Sequence, residues 1–257
     1  MTRSHLIFDS SIGKQKPETI VNRQNPCPFC NVEALTHIMD QKDSIIWLEN
    51  KYPVLQDAFQ TVIIETDECT SELSLYSKEH LHKLIDFALK KWKVMQENSQ
   101  YKSVLFFKNH GPMSGGSLRH PHMQIVGLKN VDAYRELDER QFEGLTIHEE
   151  NGVIFNLSTL PRVGFFEFNV RLKQGGEQTI FADLLQTAVH YVLHHFHRNC
   201  TSYNLFFYPL ENKEVVVKIL PRFSTSPLFM GYDIAQVSNK LSDVVQQVQE
   251  LYFSPKK

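Results

Sequence analysis

Gly115-Gly116-Ser117-Leu118-Arg119-His120-Pro121-His122-Met123-Gln124 is the stretch whose side chains carry the most chemistry in this chain. In a β-strand, residues two apart share a face, so His120, His122 and Gln124 point one way while Met123 and Ile125 point the other. Pro121 has no N–H to give a ladder and belongs where a strand begins or runs along an edge. The glycines before it let backbone N–H groups approach an anion closely, as phosphate-binding nests require. Spacing alone leaves two readings open, an edge strand with exposed histidines after a flexible loop, or three polar groups converging on a ligand.

Upstream, Val104–Phe107 reads as a strand and Asn109–Arg119 as a loop, and His120–Gly127 completes a second strand. Before them, Leu81, Leu84, Ile85, Ala88, Leu89, Trp92 and Met95 recur at helical spacing behind a Ser77 N-cap, which predicts a helix over 78–97. Short β-type runs lie at Ser44–Leu48 and Thr61–Glu65, and residues 1–26 form an irregular arm. Downstream, the charged stretch Lys129–Glu150 reads as a solvated connector or surface helix. The second half repeats the order, with strands at Val153–Leu157, Phe165–Val170, Tyr203–Phe207 and Glu214–Leu220 and helices over Thr179–His197 and about 234–251. Leu105-Phe106-Phe107 recurs as Leu205-Phe206-Phe207, suggesting an internal duplication. Aligning the final strands sets His120 and His122 opposite Glu214 and Val216, which confines the chemistry to the first half.

Cys27-Pro-Phe-Cys30 has the spacing of a metal knuckle, with a redox dithiol as the rival reading. The remaining ligands must come from elsewhere. Cys69, after the run Thr61–Thr66, is the favoured thiol, and Cys200 is expected as a core or surface thiol. His190 and His194 have the i, i+4 spacing of a zinc pair but lack the intervening glutamate of a helical metalloprotease motif. His80 and His82 are expected to face solvent. With 27 basic and 29 acidic residues the formal charge is −2, which offers no electrostatic drive toward nucleic acid. The apolar runs are too short for a membrane span or a signal peptide, so a cytoplasmic enzyme is expected.

Cys27-Pro-Phe-Cys30, Asn50-Lys-Tyr-Pro53, Val62-Ile-Ile-Glu-Thr66 leading to Cys69, and His120-Pro-His122-Met-Gln124 together resemble the galactose-1-phosphate uridylyltransferase-like branch of the histidine triad superfamily. The ordered match spans most of residues 1–128, and Ile219-Leu-Pro-Arg222 and Phe229-Met-Gly-Tyr-Asp233 extend it into a degenerate second repeat. The resemblance implies an α+β fold of tandem repeats, each an antiparallel sheet packed with a helix. Residues 1–128 would form the zinc-containing catalytic repeat with its arm, 129–150 a connector, and 151–257 the degenerate repeat. It also implies a nucleotidyltransferase acting on a nucleotide sugar or nucleoside diphosphate and a phosphate-bearing acceptor, with a homodimer expected. Carried over by position, Cys27, Cys30, Cys69 and His120 become ligands of a structural Zn(2+), with Cys69 standing where the branch usually has a histidine. His122 becomes the nucleophile and Gln124 the holder of phosphoryl oxygens. Asn109, Gly115, Gly116 and Ser117 fall at phosphate contacts and Asn50 at a nucleoside contact. Hydrolase or phosphorylase chemistry on the same fold, or nucleotide binding without catalysis, are the alternatives.

Overall fold

The computed structural model describes residues 5–223 and 225–255. The chain divides into two compact units, one ending at Leu137 and lacking Ser77–His82, the other made of Ser77–His82 and the residues from Asp138 onward.

In the first unit, strands β1 (Ile38–Lys42), β2 (Ile45–Glu49), β3 (Ala58–Ile64), β4 (Ser103–His110) and β5 (His122–Leu128) form an antiparallel sheet in the order β1-β2-β3-β5-β4. A one-turn helix, α1 (Ser10–Gly13), lies in the arm, and α2 (Lys78–Gln96) covers one sheet face. Ser77 caps α2 by accepting from the His80 N–H at 3.3 Å. The predicted apolar stripe is buried except for the half-buried Leu89: Trp92 meets Phe106 at 5.6 Å between centroids and donates its indole N–H to the Val104 carbonyl. Phe106 pairs with Ile125, so the α2 face of β5 carries Met123 and Ile125 while His122 and Gln124 lie on the opposite face. There Ile46, Leu48, Val62 and Ile64 make a small apolar cluster against which Phe29 and Leu35 pack.

The second unit holds β6 (Gly144–Glu150), β7 (Val153–Ser158), β8 (Phe168–Leu172), β9 (Tyr203–Pro209) and β10 (Val215–Pro221), antiparallel in the order β6-β7-β8-β10-β9. This repeats the strand order of the first sheet. Its covering helix, α3 (Gln178–Tyr191), continues into a wider turn over Val192–Phe196, and α4 (Pro227–Tyr232) and α5 (Leu241–Tyr252) follow. Tyr191 of α3 meets Phe168 at 5.7 Å, and Phe168 pairs with Ile219, which fixes the helix-facing side of this sheet. Asn169 and Lys218 therefore point away from α3. On that side Lys218 Nζ lies 2.9 Å from Glu167 Oε2, donates to the Gln141 carbonyl at 2.8 Å, and sits 5.3 Å over the Phe142 ring. Asn156 donates to the Phe142 carbonyl and accepts from Asn169. Glu167 also accepts from the backbone N–H groups of Arg162, Val163 and Gly164.

The fold is α+β with two antiparallel repeats, as expected, and several details differ from the sequence reading. Lys129–Glu150 contains β6 and a single turn at Glu139–Phe142. β1 is exposed at every residue and so shows no alternation to read. The three-residue match is not a structural equivalence: Phe106 faces α2, whereas Phe206 lies opposite Lys218 on the face turned from α3. The correspondence of His122 with Val216 and Gln124 with Lys218 does keep equivalent faces. His80 and His82 are half-buried, with His82 Nε2 2.8 Å from Asp183. Cys200 is buried, and its thiol contacts the Ser202 carbonyl. No helix among the described residues is long and apolar enough to cross a membrane.

Candidate active site

The knuckle Cys27–Cys30 closes as a tight turn with Pro28 in its first helical position, and the Cys30 N–H donates to the Cys27 carbonyl. That turn brings both thiols to 3.6 Å from Nδ1 of the fully buried His120. Cys69 joins them from the loop after β3, and the ligand atoms of Cys27, Cys30, Cys69 and His120 all lie within 4.8 Å of one another. The cluster could hold one metal ion. His120 Nε2 lies 2.7 Å from the Thr66 carbonyl, so this nitrogen carries the proton and the Nδ1 lone pair is left for the thiol side. Burial raises the Cys27 and Cys30 thiols, Cys30 to about 12. Burial also pushes Cys69 up, but hydrogen bonds from Arg119, Cys30 and Cys27 outweigh it and hold this thiol below its ordinary range. Three thiols with one pulled toward thiolate make a donor set of the kind a soft or borderline cation takes.

Two residues on, His122 opens β5, 7% exposed. Its Nδ1 lies 2.8 Å from the His120 carbonyl, which accepts the ring proton and turns Nε2 outward as the lone-pair nitrogen. Burial first, then the Lys108 charge, pulls its pKa down to about 4 against an opposing hydrogen bond, so the ring is neutral at pH 7. Phe29 meets both imidazoles edge-on, His120 at 5.8 Å and His122 at 5.5 Å between centroids. Behind the strand, on the α2 face, Glu65 is fully buried, pairs with Lys108 and accepts from Tyr76 OH.

His122 and Gln124 line a cavity of about 250 Å³. Asn50, Asn109, Gly115, Gly116 and Ser117 line the same cavity, so every expected catalytic and nucleotide-binding position opens onto one space. Gly115 has φ +84°, a left-handed conformation that strains a side chain. A Cβ on Gly116 would stand 3.3 Å from the Asn109 Cβ, a tight contact that the loop or Asn109 would have to relieve by a few tenths of an ångström. Asn50 Oδ1 accepts from the Tyr52 N–H in a local turn. The apolar part of the wall comes from Phe29, Leu35, Leu48 and Val62, and the arm adds Lys16 and Pro17. None of these six was assigned a site role from sequence. For Phe29 the signal was its place inside the knuckle, between the two cysteines of the cluster.

Residues 134–253 match the family described as domain of unknown function (DUF4931) C-terminal domain, and residues 8–131 the corresponding N-terminal domain. No curated protein matches the sequence. Among solved structures, a DUF4931 family protein from Bacillus cereus is 44% identical, covering 84% of this chain and 100% of that one with a TM-score of 0.77. An ADP-glucose phosphorylase from Arabidopsis thaliana, solved with bound ADP-glucose, is 17% identical with a TM-score of 0.67, covering 90% of this chain and 94% of its own. A uridylyltransferase is 14% identical with the same TM-score of 0.67, covering 88% and 91%. The chain therefore shares its fold with the phosphorylase and the uridylyltransferase, and by its two matched domains and its 44% identical relative it belongs to the DUF4931 family.

Proposed function

We propose that the protein is a zinc-stabilised nucleotidyltransferase that passes a nucleoside monophosphate from a nucleotide sugar, or a related nucleoside diphosphate, to a phosphate-bearing acceptor by way of His122. The observation that carries this is the His122 ring: neutral, its Nδ1 proton held by the His120 carbonyl, on the wall of a cavity that Gln124, Asn109 and the glycine loop also line. The phosphorylase and the uridylyltransferase of the same fold support a nucleotide ligand.

In this reading, Nε2 attacks the α-phosphorus, forming an N–P bond as the P–O bond to the leaving phosphate breaks. The leaving oxygen keeps the electron pair and departs as a phosphate monoester, which needs no proton. The ring keeps its Nδ1 proton against the His120 carbonyl and carries the positive charge of the adduct. An acceptor phosphate oxygen then attacks phosphorus, and the N–P electron pair returns to Nε2. Gln124 donates amide hydrogen bonds to the phosphoryl oxygens and has no proton to give as an acid, which favours phosphate acceptors over water. Asn109, Gly115, Gly116 and Ser117 cradle the phosphates, and Asn50 contacts the nucleoside.

Zinc fits the Cys27, Cys30, Cys69 and His120 donor set: tetrahedral Zn–S and Zn–N bonds put sulfur and nitrogen ligands about 3.6 Å apart, and the Sγ to Nδ1 distances are 3.6 Å. With four protein ligands the ion has no open position, so its contribution is to fix the strand that bears His122. Free thiols in such a site suit a reducing compartment, which supports the reading of a cytoplasmic protein.

Incubation with a panel of nucleotide sugars followed by intact-mass measurement tests the proposal. An acid-labile gain of one nucleoside monophosphate is expected, absent in His122→Gly. Nucleotide binding with no adduct at any time point would leave the site a binding module and overturn the covalent step.

A further inference from the structure

Three thiolates and a neutral imidazole around a divalent ion leave a centre with one net negative charge, whereas two thiolates and two imidazoles would leave it neutral. Partly buried charge needs a partner, and here a guanidinium is in contact with the extra sulfur. Arg119 Nε donates to Cys69 Sγ at 3.5 Å. The same side chain donates through Nη1 to the Arg23 carbonyl at 2.9 Å, and its backbone N–H donates to Thr19 Oγ1 at 3.0 Å. Thr19 is fully buried, and its own N–H donates to the Ser117 carbonyl at 2.8 Å. Two arm residues a few positions earlier, Lys16 and Pro17, wall the cavity that holds His122.

We propose that Arg119 is the charge partner of the Cys69 thiolate in the metal-loaded protein and, through the other arm of its guanidinium, the clip that fastens the N-terminal segment to the metal centre. Cys69 and Arg119 then form one unit. A thiolate at this corner attracts the guanidinium, the guanidinium holds the Arg23 carbonyl, and the arm keeps its place over the glycine loop. An arginine suits the task because its planar fork reaches sulfur and carbonyl together, which a lysine ammonium on a flexible stem does less well. Arg119 is a positioning residue: it does not line the His122 cavity and is not one of the four clustered ligand side chains. The inference rests on metal occupancy of this cluster and is independent of the covalent step at His122.

The test is zinc retention by the full-length protein against a competing chelator, with hydrogen exchange over residues 17–23 as a second readout. Arg119→Gln is expected to weaken zinc retention about 10-fold or more, the range seen when groups supporting metal ligands are removed, and to speed exchange in the arm. Arg119→Lys should restore most of the retention while leaving the arm fast. Cys69→His makes the centre neutral, so adding Arg119→Gln to it should cost no further zinc. Equal losses from Arg119→Gln in both backgrounds, or no rescue by lysine, would overturn the charge partnership and make the residue a packing element. Retention unchanged in Arg119→Gln would also overturn it. A wild-type protein that binds no zinc would sink the metal reading itself, a separately visible result.

Discussion

In the first unit the sheet face turned away from α2 borders an open cavity with His122 and Gln124 on its wall, whereas in the second unit the equivalent face is stopped by the chain's own Gln141 and Phe142. Strand order is the same in both, and corresponding positions keep their faces: His122 answers to Val216 and Gln124 to Lys218. What differs is the material laid on the sheet. The first unit lays a cysteine knuckle and a glycine loop there, which leave room. The second lays a short turn whose carbonyls satisfy Lys218 and Asn156, with Glu167 closing the ion pair. One antiparallel scaffold therefore yields a cavity or a plug according to whether its polar face is left open or satisfied internally.

The largest effect that would test this contrast is on the plug. Lys218→Met leaves Glu167 buried with backbone donors but without its ion-pair partner, and should cost about 3 kcal/mol or more in chemical unfolding. The double variant Lys218→Met with Glu167→Gln should recover much of that. A loss well under 1 kcal/mol would mean that the ion pair does not hold the second unit's face. Next comes acid. His110 ends β4 in the first unit, and burial, aided by the Lys108 charge, lowers its pKa to about 3. A depressed imidazole means that the unfolded chain binds more protons below about pH 6.5, so stability is full above that pH and falls as pH drops toward 3. The slope from this residue is at most about 1.4 kcal/mol per pH unit, and His110→Gln should flatten it. Both tryptophans, Trp47 and Trp92, lie in the first unit, so their fluorescence reads this unit alone. A tryptophan midpoint independent of pH between 6.5 and 4.5 would contradict the assignment. The smallest effect is at the turn that delivers Phe142: Asp138 Oδ1 accepts from the Arg140 N–H, and Asp138→Ala should cost about 1 kcal/mol. Stability equal to wild type would show that the turn is held by Phe142 packing alone.

The same contrast explains what could be read from sequence. The α2 stripe, the alternating β5 and the Cys27 to Cys30 spacing are local patterns, and each formed nearly where the residues said. The strands β1 and β6 were missed for opposite reasons: β1 is exposed on both faces and alternates nothing, and β6 lies within a charged stretch that reads as solvated. Glu65, Lys108, Glu167 and Lys218 look like surface charges until the fold buries them against one another. The repeated Leu-Phe-Phe misled because a one-residue difference in register turns a strand's side chains to the opposite face. Phe29 lay inside a motif read only for its sulfurs, and its edge contacts with both imidazoles depend on tertiary packing.

His120 spends its ring on the cysteine cluster and its peptide oxygen on the neighbouring imidazole. Two chemically unrelated duties are thereby inherited as one. On the proposed function, a lineage that abandoned the ion would loosen the carbonyl that aims the His122 ring, and one that lost the ring would have little reason to keep the sulfurs. Across divergent descendants of this fold, the knuckle and the second histidine of the pair should accordingly be kept together or discarded together.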